Sequence, residues 1–273
     1  MQADPYSAEF GDWRLNTTGW VTAVDGKPLD QPAAYCQVST YEAEQGRISF
    51  QTPSAAALHL NAAWKAVRRA VVAKELIRWH ESPPSFASVG LAHRGVRDVD
   101  PASTPALFDY FEDAMTVVTS SYASLEAFCN STLVAKLSAP IVVGKGRRRR
   151  TLQPEEIEEQ VGTEEKLGRI LPKVLGVPSP AGKAIWQRFR ALKDLRDSMT
   201  HFKRRDQARH ADRATEPTAL HDLLQADLPT FPAAAMALVE HFHPTDPPRW
   251  LRDPAWVDGG LAAPLTPGGK VTG

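Results

Sequence analysis

The sequence predicts a mainly helical protein in which an antiparallel helical bundle follows a smaller N-terminal region with short β-strands. Two long segments, residues 104–133 and 181–205, repeat apolar residues at steps of three and four, which is the spacing of a helix with one buried face. Residues 1–52 instead place short β-branched or apolar runs around the turn signals Asp25-Gly26 and Gln45-Gly46. These patterns together predict a helical bundle preceded by strands.

Composition excludes several classes of protein. The formal net charge is zero, so no overall field indicates a nucleic-acid or membrane partner. Cys36 and Cys129 form no CxxC pair, and His241 and His243 are too close in sequence to share a helix face, so we expect no metal and no cofactor. Without a membrane-spanning run or a signal-peptide pattern, we expect a soluble cytoplasmic protein. We divide the chain into an N-terminal region of residues 1–102, a bundle of residues 103–245 and a Pro-rich tail of residues 246–273.

The N-terminal region is predicted to form strands and turns to about residue 52, with an unstructured arm as the alternative. Ser54 then opens a helix over residues 54–81, and Pro83-Pro84 ends it. The Gly-, Pro- and charge-containing residues 85–103 are predicted to be a linker.

The longest predicted helix begins at Thr104, which is followed by a proline in the first turn. Its apolar seam is typical of a helix that packs in a bundle or at a dimer face, and consists of Phe111, Met115, Val118, Tyr122, Leu125, Cys129 and Leu133. Glu126 and Asn130 flank this seam, where they could hydrogen-bond to Arg196. The alternative is that they are ordinary exposed residues of the helix.

A basic run lies in the predicted loop of residues 141–150 and consists of Lys145, Arg147, Arg148, Arg149 and Arg150. Such a loop can neutralise RNA phosphates without reading a sequence, although most arginine runs are solvated loops. Further helices are predicted from Pro154 and over residues 163–175, 219–228 and 231–242.

The helix of residues 181–205 carries the candidate catalytic groups. Arg196 lies beside its apolar stripe, while Asp197 and His201 are four residues apart and share a face. Histidine suits proton transfer because its unperturbed pKa is about 6.5, and the planar fork of arginine can hold two phosphate oxygens.

Residues 195–201, LRDSMTH, resemble the Arg-x4-His signature of HEPN domains, which are small helical bundles found in many prokaryotic RNA-cleaving toxins and defence proteins. Residues 124–130 look like the polar segment of the family's first helix, and the resemblance covers roughly residues 104–244. It implies a metal-independent endoribonuclease that acts as a homodimer, with two signature helices across a shared groove.

The resemblance also implies a role for each residue. Arg196 would bind the phosphate, His201 would move the proton and Asp197 would orient the imidazole, leaving a 2′,3′-cyclic phosphate and a 5′-hydroxyl. Glu126 and Asn130 would support Arg196. RNA-binding cations would come from the basic run and from Lys203, Arg204 and Arg205. An antitoxin or another defence protein is the expected partner besides RNA.

Two residues depart from the family pattern. Asp197 stands where many active members have asparagine, and Lys203 stands where an antitoxin-modified branch carries tyrosine, so regulation through that tyrosine is not expected. Two alternatives to the enzyme therefore stay open: a catalytically inactive HEPN-like dimerisation or interaction module, and a nucleic-acid-binding regulator that uses the basic run.

Overall fold

Two β-hairpins open the chain in the computed structural model, which describes residues 12–16, 18–24, 27–81, 97–144, 149–200, 218–245 and 247–252. Strands β1 (Thr18–Val24) and β2 (Lys27–Cys36) pair antiparallel, as do β3 (Val38–Ala43) and β4 (Gly46–Gln51). Gly46 adopts a positive φ of 108° at the second turn, a conformation that favours glycine. The predicted strands are thus confirmed, and the predicted turn residues Asp25-Gly26 lie outside the described residues.

Helix α1 spans Ala55–Leu76 and ends earlier than predicted. The Ser54 hydroxyl caps its start by accepting from the Ala57 amide at 3.3 Å. At its other end the Ser103 hydroxyl donates to the Leu76 carbonyl at 3.2 Å and accepts from the Arg78 amide at 3.1 Å. The prediction that this helix continues to residue 81 is therefore wrong, because Ser103, which is distant in sequence, binds the backbone of Leu76 and Arg78.

The end of the predicted linker of residues 85–103 contains a short strand and a 3-10 turn. Strand β5 (Trp79–Glu81) pairs antiparallel with β6 (Arg97–Val99), and a short 3-10 turn, Pro101–Ser103, leads into the next helix. The Asp100 carboxylate accepts from the Ala102 amide at 2.9 Å and so caps that turn.

Helix α2 (Thr104–Lys136) is the centre of the bundle and begins at the predicted residue. It runs antiparallel to α1, since the Ser124 hydroxyl donates to the Ala56 carbonyl at 2.9 Å while Arg69 binds Asp113 farther along at 2.6 Å. The predicted apolar seam is buried from Val118 to Leu133. The predicted helical packing of this seam is thus confirmed.

A pair of short antiparallel strands begins within the segment of residues 141–150 that was predicted to be a loop. Strands β7 (Ile141–Val143) and β8 (Arg150–Leu152) pair antiparallel, and Val143 and Leu152 bury their side chains in the core. Helix α3 (Pro154–Gln160) follows, and the Glu156 carboxylate at its start accepts from the Gln153 amide at 2.8 Å.

The predicted helix of residues 163–175 is one helical run with a π-helical middle. It consists of α4 (Thr163–Glu165), a π-helical segment (Lys166–Ile170) and α5 (Leu171–Leu175). Gly176 ends it with a φ of 67°. The remaining helices are α6 (Ala184–Thr200), α7 (Ala219–Gln225), α8 (Thr230–Phe242) and α9 (Arg249–Arg252).

Helices α1, α6 and α8 pack around α2 and form one core. The predicted tail contributes to it, because Trp250 on α9 is only 4% exposed. The mainly helical fold with short N-terminal strands is confirmed. Among the described residues, no helix is both long and apolar enough to cross a membrane.

Candidate functional site

A groove of about 640 Å³ lies between α2, the start of the α4 run and helix α6, and Arg196 forms part of its wall. Three cations and two carboxylates line it. The lining residues are Tyr122, Gly162, Thr163, Glu164, Glu165, Gly168, Arg169, Ala181, Trp186, Lys193 and Arg196.

Arg196 reaches this groove because it lies beside the buried stripe of α6, one turn after Leu192. Its guanidinium stacks on the Tyr122 ring, with 3.9 Å between Cζ and the ring centroid. One terminal nitrogen, Nη1, binds Asp197 at 3.0 Å. The Nε atom is buried and has no hydrogen-bond partner among the described residues. Since a buried N–H without an acceptor is costly, the site favours an additional acceptor from outside the described chain.

Thr163 provides a second unpartnered polar atom in the same groove. The residue is 2% exposed, and its hydroxyl has no hydrogen-bond partner in the described part of the chain. Both atoms, this hydroxyl and Arg196 Nε, are buried in the wall of the groove, where an oxygen acceptor would remove the cost of leaving them unpaired.

Asp197 is held by cations on both sides. Its Oδ2 accepts from Lys193 at 3.0 Å and its Oδ1 pairs with Arg196 at 3.0 Å. The hydrogen bond that Lys193 donates to Asp197 raises the pKa of Lys193, and Glu164 lies 3.7 Å from the same ammonium. The carboxylate predicted to orient the imidazole is therefore engaged within its own helix. His201 itself lies outside the described residues.

Asn130 and Glu126 do not contact Arg196, which their positions beside the seam had suggested. The Asn130 side-chain oxygen accepts instead from Lys166 Nζ at 2.7 Å, and the Glu158 carbonyl accepts from the same ammonium at 2.9 Å. Lys166 is fully buried, and burial lowers its pKa. Glu126 is exposed on α2. The polar segment of α2 thus binds a buried lysine in the π-helical segment.

Gly144, which follows strand β7, contacts two residues that line the groove. The Gly144 amide donates to Glu165 at 3.3 Å, and Arg169 donates to the Gly144 carbonyl at 3.4 Å. On the other strand, Arg150 donates to the side chain and the carbonyl of Gln160 at 3.0 and 3.1 Å, while Arg149 is exposed. The remaining predicted RNA-binding residues, Lys145, Arg147, Arg148, Lys203, Arg204 and Arg205, lie outside the described residues.

No family model, curated protein or solved structure matched the chain.

The two C-terminal histidines have partners other than a metal. The His241 ring lies 2.8 Å from the Pro178 carbonyl oxygen, and His243 packs edge-on against Phe128 with 5.7 Å between ring centroids. Within the described ranges, no cluster of three or more His, Cys, Asp or Glu side chains is placed to hold a metal ion.

Sequence reasoning missed three residues that define the groove. Lys193 carried a usable signal, because it precedes Asp197 by four residues on one helix. Tyr122 was predicted only as part of the apolar seam, and nothing local marks it as the platform for Arg196. Thr163 follows a glycine at a helix start, which does not distinguish a ligand-binding hydroxyl from a cap.

Proposed function

We propose that this chain is a metal-independent endoribonuclease of the HEPN type and that RNA binds in the groove of Arg196. The observation that carries the proposal is the guanidinium of Arg196, which stacks on Tyr122 and whose buried Nε–H has no acceptor in the described part of the chain. A phosphate oxygen would supply that acceptor, and the planar fork of arginine allows two such contacts at once.

The reaction follows from the side chains assigned to it. A base removes the proton from the ribose 2′-hydroxyl, and the 2′-oxygen bonds to phosphorus. The bond from phosphorus to the 5′-oxygen then breaks, and an acid protonates that oxygen. The products are a 2′,3′-cyclic phosphate and a 5′-hydroxyl. His201 moves a proton in this scheme, and Arg196 stabilises the crowded phosphate.

The scheme uses two histidines, one as base and one as acid, whereas the signature supplies one per chain. A homodimer provides both when its two-fold axis places two copies of the signature helix across one groove. We extend the proposal to a toxin or phage-defence effector that acts in the cytoplasm and that an antitoxin or another defence protein regulates. The resemblance of residues 195–201 to the HEPN signature supports this extension.

RNA cleavage by the purified chain in the presence of a chelator tests the proposal. His201→Ala should abolish cleavage, and Arg196→Ala should slow it about 10²–10³-fold, the usual cost of removing one donor to a developing charge. Arg188→Ala is the matched control, because Arg188 is exposed on the same helix and does not line the groove. Sequencing of RNA ends should find cyclic phosphates for the wild type and the control only. Cleavage that survives His201→Ala, or that stops with the chelator, would contradict the proposal.

A second candidate function has one observation in its favour. Both Asp197 oxygens already pair with cations of α6, which favours an inactive HEPN-like interaction module over an enzyme in which Asp197 orients the imidazole. The same experiment separates the two, since an inactive module cuts no RNA and His201→Ala leaves its self-association unchanged.

A further inference from the structure

A second groove of about 660 Å³ adjoins the first on the other side of the π-helical segment. The end of α2, strand β7, helix α5 and the chain around residue 178 form its walls. Its lining residues are Lys136, Leu137, Ile141, Val142, Gly168, Arg169, Ile170, Pro172, Lys173, Val174, Val177 and Ser179. Gly168 and Arg169 line both grooves, so the two grooves are neighbours that meet at these residues.

The second groove is basic and otherwise mainly apolar. Lys136, Arg169 and Lys173 are its charged residues, and no carboxylate lines it within the part of the chain that the structure describes. Lys136 and Lys173 are exposed and form no ion pair among the described residues, whereas Arg169 is paired with Glu165 at 2.8 Å. Two unpaired cations above aliphatic walls complement a chain that carries regularly spaced negative charge and apolar faces.

Gly168 lies where the two grooves meet. A Cβ at this position would lie 3.1 Å from a ring carbon of Trp186, so the backbone passes close to that indole. The Ser179 hydroxyl donates to the Gly168 carbonyl at 2.7 Å and fixes the backbone there. Because the Trp186 indole fills the space beside Gly168, a strand that spans both grooves would pass over the exposed Arg169.

We propose that the second groove binds the flanking nucleotides of a single-stranded RNA whose reactive phosphate lies against Arg196. Lys136 and Lys173 neutralise two backbone phosphates, and the aliphatic walls contact ribose and base faces without reading the sequence. This inference rests on the proposed function, because the strand must first occupy the Arg196 groove. It assigns a binding role to two lysines outside the signature helix and the basic run.

RNA-binding measurements with the full-length His201→Ala chain test the inference, since the RNA then stays intact. Fluorescence anisotropy compares a dinucleotide with a homopolymer that is long enough to span both grooves. Lys136→Gln and Lys173→Gln should each weaken binding of the long RNA about fivefold at about 0.1 M salt, and should reduce the salt slope by about 0.7. Binding of the dinucleotide should not change. Lys65→Gln, an exposed lysine on α1, is the matched control.

The outcomes separate this inference from the proposed function. Suppose that the variant with both Lys136→Gln and Lys173→Gln still binds the long RNA more tightly than the dinucleotide, while Arg196→Ala weakens the binding of both RNAs. The second groove is then not the site of the flanking nucleotides, and the proposed function stands. If poly-glutamate competes at these lysines as well as RNA does, the groove takes an acidic peptide and the inference fails. If neither RNA binds, or if Arg196→Ala changes neither affinity, both proposals fail.

Discussion

Lys166 and Arg196 both contact the central helix α2, and their polar atoms are satisfied in opposite ways. Lys166 is buried and donates to Asn130 and to the Glu158 carbonyl. The Arg196 side chain is 27% exposed, stacks on Tyr122 and leaves Nε without a partner among the described residues. A buried cation with its own acceptors joins structural elements, whereas a partly exposed cation at the wall of a groove can also contact a ligand. We therefore expect the first site to stabilise the fold, and we propose the second as the binding site.

The largest expected effect is on stability. Lys166→Ala should lower the free energy of unfolding by about 3–5 kcal/mol, because it opens a cavity and leaves the two acceptors without a donor. Arg196→Ala should cost only about 1 kcal/mol, the value of a partly exposed stacked cation. Urea unfolding measures both, with the exposed Lys173→Ala as control. Equal losses for Lys166→Ala and Arg196→Ala would remove the contrast between the two sites.

These two sites also show what could be predicted from the sequence. The position of Arg196 beside the core followed from Leu192 and Met199, because helical periodicity fixes which residues border a buried stripe. Helical periodicity could not predict that Asn130 accepts a hydrogen bond from Lys166. Lys166 begins a π-helical segment, and the wider turn there shifts side chains away from the positions that a regular helix would give them.

The same distinction holds for the fold. Helix α2 begins at the predicted Thr104, and α8 begins at Thr230, one residue before the predicted start, because helical periodicity locates both segments. The end of α1 depends on Ser103, and β7 and β8 form a hairpin where only a loop was predicted. Such contacts join residues that no local pattern connects, so tertiary structure decides them.

Tyr122 offers a smaller test, confined to the Arg196 site. Tyr122→Leu should weaken RNA binding about fivefold, since the stacking that holds the guanidinium is worth about 1 kcal/mol. Tyr122→Phe keeps the ring and should bind RNA as the wild type does. Binding is measured well below the unfolding temperature, because the ring also stacks on Phe189 at 6.3 Å. Equal affinities of the Leu and Phe variants would show that the ring does not position Arg196.

The smallest expected effect concerns His243, whose pKa is lowered in part by the charge of Lys136. Burial, with a smaller contribution from Lys136, lowers the pKa of His243 below its usual value of 6.5. As the pH falls below 6.5, the unfolded chain therefore gains a proton that the folded chain does not, and stability decreases until the folded pKa is passed. Lys136→Gln should raise this pKa and reduce the acid-side loss. An NMR titration of the His243 ring measures the pKa, and an unchanged or lower value would contradict the expectation.

The most direct test of the account is the NMR signal of the Arg196 Nε–H group, assigned by its absence in Arg196→Lys. A dinucleotide with a 2′-O-methyl group cannot be cut, so it can be titrated into the wild-type chain. We predict that the Nε–H resonance moves downfield and that its exchange with water slows as the dinucleotide saturates the site, because a phosphate oxygen becomes its acceptor. Saturable binding that leaves this resonance unchanged would contradict the central claim that Arg196 holds the RNA phosphate.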